Sequence, residues 1–357
     1  MLPDFLKRFR NRLLADPKFL SFAQKFPLTR SVARQKSVEL FDLLAGFAYS
    51  QVLYACVSLK LFEHVGQSAS TLEQLAQKTN LPLQKTELLV RAAIALELLD
   101  GTVERITLGP HGAALLGQPW IMRFVEHHKY FYRDLEDPVA MLQGAKVDGG
   151  LADFWSYDVA TSDKSAYSAL MAASQQAVSA QILQAYDFRG HRRVLDVGGG
   201  TGAFLTAVTT QFPHIEVHVF DLPGVAGPQH SQFITRHTGD FRRDSLPAGM
   251  DLISIVRVIH DHDDEAVLAL LTNVRTVASP ETILLIAEPF SGNAATARVT
   301  DAYFSLYFAA MGQGRTRTPE QIKVLAAKAG FAEARQWPTH MPLITGVMTF
   351  KPLVRNM

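Results

Sequence analysis

Two stretches of this chain carry side chains with the means to do chemistry. One is His260-Asp261-His262-Asp263-Asp264, followed by a further acid at Glu288. The other is Asp196-Val197-Gly198-Gly199-Gly200-Thr201-Gly202, with Asp221 downstream. Histidine is the side chain whose ordinary pKa suits proton removal near neutrality. His260 closes the apolar run 251–259, which places it at the carboxyl end of a strand, the ligand side of an open α/β sheet. Glu288 ends the next such run, where its carboxylate can hold one ring nitrogen of His260 and fix the tautomer. The same residues admit a metal reading: magnesium would use the carboxylates and several waters, whereas zinc would want more His or Cys. Against that reading, Asp263, Asp264 and Glu265 are the acids that the first turn of a following helix wants against its dipole. No metal is expected, and His262 reads as a pocket wall or a partner of other site residues.

Glycines directly after the strand 193–197 let backbone approach a ligand closely, and the helix that follows offers free N–H groups. Gly198, Gly200 and Ala203 satisfy the G-x-G-x-x-A form of a dinucleotide fingerprint. Two features point elsewhere. Asp196 stands just before the first glycine, where a carboxylate would repel a pyrophosphate but suits a cation, such as the amino-acid end of S-adenosylmethionine (SAM). Gly202 extends the run to G-x-G-x-G, which fits a loop around a nucleoside plus an amino acid. Asp221 ends the second strand, where an acid can accept both ribose hydroxyls of either ligand.

The elements that must position these groups alternate. Strands are expected at 193–197, 216–220, 251–259 and 282–287, with helices at 203–208 and 266–277 between them, the pattern of a parallel sheet covered on both faces. Thr318-Pro319-Glu320-Gln321 starts a helix that Gly330 stops. The tail reads as two strands, 334–337 and 343–350, a hairpin that a plain dinucleotide fold does not require. Upstream, residues 37–150 look helical. A helix from Thr71, a break at Asn80-Leu81-Pro82, and a second helix with Leu88, Leu89, Ala92, Ala95, Leu96 and Leu99 at helical spacing precede a turn at Asp100-Gly101 and a strand at 105–108. That is the layout of a winged helix. Lys85 and Arg91 are offset by Glu87 and Glu97, so the second helix lacks the positive surplus of a DNA reader, and a dimerisation module is the expected role.

Composition sets outer bounds. The chain has 357 residues, 48 % apolar and 19 % charged, enough for a large core in two domains. The net charge of +1 hides an arm: residues 1–36 hold nine Lys/Arg against Asp4 and Asp16, so the body is acidic. Phe5, Phe9 and Leu13 recur among Lys7, Arg8, Arg10 and Arg12, a basic amphipathic segment that would lie on an anionic membrane surface or on a partner subunit. Cys56 is the lone cysteine and offers no disulfide or zinc framework. The charge-free run Leu43–Leu59 is 17 residues long, at the lower limit of a spanning helix, and is expected to be buried or at a subunit interface. The N-terminus lacks a secretory h-region, so a cytoplasmic protein is expected.

Four co-linear motifs carry a family resemblance: Asp196–Gly202, Phe220-Asp221-Leu222-Pro223, Gly239-Asp240-Phe241 and Ile259-His260-Asp261. They resemble the plant-type small-molecule O-methyltransferases, which include the caffeate, flavonoid and acetylserotonin enzymes, over roughly residues 40–350. The resemblance implies a Rossmann-like α/β domain of seven strands that binds SAM, behind an N-terminal winged-helix dimerisation domain. Domains are then expected at 1–36 (arm), 37–150 (winged helix), 151–190 (connector lining the acceptor pocket) and 191–357 (methyltransferase). By family position His260 is the general base and Glu288 its partner. Gly239, Asp240 and Phe241 lie on the adenine side, with Phe241 on the ring, and Arg257 contacts the cofactor along with Asp196, Gly198, Gly200 and Asp221. Asp261, Met171 and Met311 are expected at the acceptor, among apolar neighbours Tyr167, Tyr303, Phe304, Tyr307 and Phe308. A second acid of the plant enzymes, just before an Arg-Thr pair, is Thr316 here.

Further segments, Phe26–Arg30, Phe41–Phe47, Leu170–Gln175, Arg257–Asp264 and Asp301–Phe304, are similar to the bacterial hydroxyneurosporene-type subgroup of acyclic carotenoid synthesis, in which HDHDD replaces HDW. That implies a lipophilic acceptor with a tertiary hydroxyl and a homodimeric enzyme without nucleic-acid contact. A tetrapyrrole C-methyltransferase, a phenolic O-methyltransferase and a SAM-binding winged-helix regulator are the alternatives.

Overall fold

The C-terminal half forms seven strands, and valine, isoleucine and leucine dominate the central ones, as strands buried on both faces require. In the computed structural model they are β3 (Arg193–Val197), β4 (Glu216–Asp221), β5 (Ile234–Thr238), β6 (Leu252–Val256), β7 (Ile283–Glu288), β8 (Phe331–Trp337) and β9 (Gly346–Pro352). The structure describes residues 3–155, 164–223, 225, 233–293 and 296–353, and only the backbone of 164–173. The sheet order is β5-β4-β3-β6-β7-β9-β8, parallel except for the β8–β9 hairpin, which pairs antiparallel with itself and with β7. Alternate residues face opposite layers. Leu195, Val197, Leu284 and Ile286 pack with α13 (Asp264–Val277) and α15 (Pro319–Lys328), while Val194, Leu285 and Ala287 pack with α11 (Lys164–Ala185) and α12 (Ala203–Gln211). Thr318 and Gln321 close the expected capping box on α15, a cap of about 1 kcal/mol. The edge strand β5 was not expected from the sequence. Its Ile-Thr-Arg-His-Thr text has one fully buried residue, Ile234.

The chain divides into two units, Met1–Gln118 and Pro119–Met357. The expected boundary at 150 is therefore too late: α8 (Pro119–Asp134), α9 (Pro138–Leu142) and α10 (Leu151–Phe154) belong with the second unit. Their apolar side chains explain this, since Phe131, Met141 and Leu151 share a core cluster with Tyr307 and Phe308 of α14 (Phe304–Ala310).

The first unit begins with α1 (Asp4–Leu14), α2 (Pro17–Lys25) and α3 (Arg30–Ser58), so residue 36 lies inside a helix and marks no boundary. It continues through α4 (Leu61–Gly66), α5 (Leu72–Thr79), α6 (Leu83–Ala95), β1 (Leu99–Thr102), β2 (Arg105–Leu108) and α7 (Pro110–Leu116). Thr71 and Gln74 form a capping box on α5, and Asn80 ends it in the left-handed region at φ 55°. Two details correct the reading. Asp100-Gly101 lies within β1, paired to Thr107 and Ile106, not in the turn. The buried face of α6 is Thr86, Leu89, Val90 and Ala93, while Leu88 is exposed. In α3 only Cys56 and Val57 are buried, and Leu43, Leu44 and Phe47 of the charge-free run are exposed. Among the described residues this one helix is long and apolar enough to cross a membrane by length and composition.

Candidate active site

The carboxyl ends of β3, β4, β5, β6 and β7 share one edge of the sheet, because these strands run parallel. The order changes direction between β3 and β6, the switch point where open α/β sheets hold ligands. Asp196 lies on β3 opposite Ser254 of β6. It is 1 % exposed; Oδ1 accepts from the Ser254 hydroxyl at 2.7 Å and Oδ2 has no partner. Burial pushes its carboxyl up to about 7, against the Ser254 hydrogen bond. A buried carboxylate oxygen without a donor is costly, and an ammonium group satisfies both its charge and its lone pairs.

The glycine loop curls beside that oxygen. Gly198 and Gly200 have φ of 73° and 57°, the left-handed region that glycine enters freely. A Cβ at Gly198 would stand 2.6 Å from a Val258 methyl, whereas nothing lies within 4 Å of one at Gly200. Gly198 thus serves packing, and Gly200 opens onto free space where a ligand can approach backbone. The Gly200 and Leu222 N–H groups each donate to one oxygen of Asp221 at 2.7 Å. They fix the carboxylate and leave each oxygen a further lone pair for a ligand hydroxyl. These residues fit a cationic amino acid joined to a nucleoside.

Beyond β5, Gly239 allows close passage: a Cβ there would meet the Phe220 ring at 2.6 Å. Asp240 faces its own loop. Arg242 grips it through Nε at 2.9 Å and Nη2 at 2.8 Å, Arg243 adds Nη2 at 3.0 Å, and these bonds hold its carboxyl far below the usual range. Asp240 therefore pins the turn that presents Phe241. The Phe241 ring meets His262 edge-on, with centroids 5.3 Å apart, so His262 belongs to this side of the site and is not among the residues lining the cavity described below.

Arg257 has φ 56°, a conformation that costs a non-glycine residue about 1–2 kcal/mol. Its N–H bonds the Ala287 carbonyl at 2.9 Å and its guanidinium donates to Ser174 Oγ at 3.0 Å. This bend ends β6 at Val256, three residues before the expected strand end, and starts a 3₁₀ turn, Ile259–Asp261. His260 thus stands on a turn, 7 % exposed, held from three sides. Glu288, at the end of β7, binds its Nδ1 through Oε2 and accepts the Val258 and Ile259 N–H groups through Oε1, both at 2.9 Å. Asp261 Oδ1 faces Nε2 at 3.2 Å. Phe308 stacks on the ring with centroids 4.9 Å apart. Burial depresses the imidazolium, but Asp261 and Glu288 together outweigh it and push His260 up to about 10.

The acids of the HDHDD run have structural work. Asp263 caps α13 by accepting from Ala266 N–H at 2.8 Å, and Asp264 is paired with Arg315 and Arg317. Buried Arg317 also donates to the carbonyls of Ile259 and His262 at 2.6 and 2.8 Å, tying the histidine turn from below. Among the described residues no group of three or more His, Cys, Asp or Glu is placed to hold a metal ion. Thr316, at the position of the plant enzymes' second acid, lies with its hydroxyl 3.4 Å from that of Ser305.

His260, Asp261 and Arg257 open onto a cavity of about 300 Å³ whose other walls are mainly apolar. Tyr303, Phe304, Tyr307, Phe308 and Met311 line it as expected; the side chains of Tyr167 and Met171 lie outside the described residues. Sequence reasoning missed Trp120, Phe124 and Trp155, and Leu343 and Ile344 from the β8–β9 connection. It also missed the polar anchors behind the wall. Tyr307 OH accepts from Trp155 Nε1 at 2.8 Å and meets His127 Nε2 at 2.7 Å, and Tyr303 OH meets His128 Nε2 at 2.9 Å. The cavity therefore sees ring faces whose hydroxyls are already partnered. The aromatic spacing along α8 was the available signal.

Comparison with known proteins bears on the family. The family model for an O-methyltransferase domain matches residues 132–332, and that for an O-methyltransferase dimerisation domain matches 41–113. The chain is 40 % identical to a demethylspheroidene O-methyltransferase of Cereibacter sphaeroides, over 96 % of this chain and 94 % of that one. It is 38 % identical to the Rhodobacter capsulatus protein of the same name, over 95 % and 88 %. Among solved structures, human N-acetylserotonin methyltransferase in complex with SAM superposes with a TM-score of 0.69 at 22 % identity, covering 90 % of this chain and 98 % of that one. A calicheamicin-biosynthesis methyltransferase in its SAH-bound form gives 0.76 at 22 %, covering 89 % and 98 %. The domain match over more than half the chain and the 40 % identity along nearly all of it make this chain a member of the O-methyltransferase family.

Proposed function

We propose that the protein is a homodimeric, SAM-dependent enzyme that methylates the tertiary 1-hydroxyl of an acyclic carotenoid. The observation that carries the chemistry is His260, fixed at Nδ1 by Glu288 with its other nitrogen 3.2 Å from Asp261 Oδ1, both residues lining a mainly apolar cavity. The names of the two bacterial relatives support the acceptor class, and ring-lined walls suit an apolar chain end. The dimerisation match supports the assembly. When bound, SAM supplies a methyl group on a sulfonium. Asp196 would take its ammonium, Asp221 its ribose hydroxyls, and Phe241 the face of its adenine.

The chain's own part is positioning and proton removal. Glu288 keeps Nδ1 protonated, so Nε2 is the nitrogen that accepts. The acceptor hydroxyl takes the place that Asp261 holds beside Nε2. As the oxygen bonds to the methyl carbon, the carbon–sulfur bond breaks with its electron pair going to sulfur, and the hydroxyl proton passes to Nε2. A tertiary alcohol is too weak an acid for full prior ionisation by imidazole, so proton loss accompanies methyl transfer. Alignment of oxygen, carbon and sulfur supplies most of the acceleration, and Arg317 and Phe308 keep the histidine still for it.

Purified protein incubated with methyl-labelled SAM and a panel of hydroxylated acyclic carotenoids, phenols and tetrapyrroles tests the reading. Label in a carotenoid methoxy group is the expected result. Label confined to a phenol, or on a tetrapyrrole carbon, would replace it with one of those acceptor classes.

A further inference from the structure

Helix α1 contains no buried residue. On its helical wheel Phe5, Phe9, Leu13 and Leu6 fall in one stripe about 100° wide. Arg12 borders the stripe on the Phe5 side and Arg10 on the Leu6 side; the rest of the surface carries Asp4, Lys7, Arg8, Asn11 and the exposed Leu14, with Lys7 paired to Asp4 at 3.2 Å. Phe5 and Phe9 are 69 % and 61 % exposed, too much apolar area to leave in water without a partner. In α2, Phe22 is 57 % exposed and stacks on Phe26 at 5.2 Å, between Lys18 and Lys25.

The chemistry of this face differs from that of the apolar face beside it. Exposed Phe41, Leu43, Leu44 and Phe47 of α3 lie in a stretch, residues 37–59, that has Glu39 and Asp42 but no lysine or arginine. The dimerisation match begins at residue 41 and takes in that face, leaving α1 and α2 outside it. An apolar stripe bordered on both edges by arginine suits a planar layer of anionic headgroups over hydrocarbon. The rings enter the acyl boundary while the guanidinium groups reach sideways to phosphate. We infer that residues 4–26 form a peripheral membrane anchor, with α1 lying flat on an anionic bilayer. This inference does not depend on which acceptor the enzyme methylates.

Vesicle sedimentation of the full-length protein tests it, using phosphatidylcholine alone and phosphatidylcholine mixed with phosphatidylglycerol. The wild type is expected to pellet with the mixed vesicles and to be released by salt. R10Q/R12Q should lower partitioning about thirtyfold at low ionic strength, from about 1 kcal/mol per cation. F5S/F9S should abolish pelleting, with the molar mass in solution and methyl transfer to a detergent-dispersed acceptor unchanged. Three results overturn the inference: no pelleting of the wild type, equal pelleting with neutral vesicles, or a change of subunit number in F5S/F9S. The last would assign the face to a second copy. Pelleting with no methylation of any carotenoid would instead fault the proposed acceptor and leave the anchor standing.

Discussion

Glu288→Gln separates the orientation of the base from everything else at the site. Glutamine keeps the shape of the side chain, and its carbonyl oxygen can still accept the Val258 and Ile259 N–H groups that Oε1 accepts at 2.9 Å. What changes is the group facing His260 Nδ1: an amide NH₂ donates where a carboxylate accepted. Nδ1 must then carry the lone pair and Nε2 the proton, which removes the acceptor of the hydroxyl proton. General-base catalysis contributes about 10²–10⁴-fold, and a wrong tautomer forfeits most of that. The expected loss in kcat/KM is therefore about 10³-fold, or roughly 4 kcal/mol of transition-state stabilisation, with the Kd for SAM unchanged because Asp196 and Asp221 are untouched.

Stability gives a second readout with a defined sign. His260 is raised from 6.5 to about 10 in the folded protein. Its contribution is fully present below about pH 6.5 and fades as pH rises through about 10. The stability gap between wild type and Glu288→Gln should thus be widest in mild acid and close in base. Single-turnover methyl transfer, calorimetric SAM binding and denaturant unfolding at several pH values cover all three. A kcat/KM within tenfold of wild type, or a matching loss of SAM affinity, would refute the assignment of Glu288 as the residue that sets the tautomer.

Other predictions follow from neighbouring geometry. Because the resting imidazolium must lose its Nε2 proton before it can accept one, wild-type kcat/KM should climb about tenfold per pH unit below the plateau. Asp261→Asn removes one of the two carboxylates that raise His260, so the plateau should begin at lower pH; an unshifted profile would dismiss Asp261 as a determinant of base strength. SAM affinity should increase as pH rises toward about 7 and level off above, since Asp196 ionises there, and Asp196→Asn should weaken binding and flatten that dependence in calorimetry. Gly314→Ala puts a Cβ 2.1 Å from the His260 carbonyl oxygen at φ 85°, whereas at Gly312, φ 81°, nothing lies within 4 Å. Both variants bear the left-handed strain of about 1–2 kcal/mol, but Gly314→Ala should lose more stability and most turnover; equal unfolding midpoints would show that the turn yields freely.

Much of the catalytic unit was legible because its strands are buried on both faces and its glycine loop has local backbone requirements. Asp196, Asp221 and Glu288 could be placed at strand ends from the apolar runs alone. The histidine turn is not legible in the sequence, since apolarity continues through Val258 and Ile259 while the strand ends at Val256, just before Arg257, whose left-handed backbone no hydropathy pattern reveals. The resemblance puts Asp240 on the nucleoside side, yet the arginines that hold its carboxylate lie only two and three residues away, Arg242 and Arg243. The boundary at Gln118 was missed because α8 is helical like the residues before it; only the tertiary contacts of Phe131 and its neighbours decide its allegiance. Exposure of the α3 face was likewise hidden, as an apolar run reads alike whether it is covered by its own chain or by another.

One paired measurement isolates the role of His260 in methyl transfer. Wild type and His260→Ala are each saturated with methyl-labelled SAM, as verified by calorimetry, and mixed with a hydroxylated acyclic carotenoid in a single-turnover experiment. Equal SAM binding is expected, with a rate of methoxy formation lower by about 10³-fold in the variant. Transfer by His260→Ala at close to the wild-type rate, with SAM bound equally, would contradict that role.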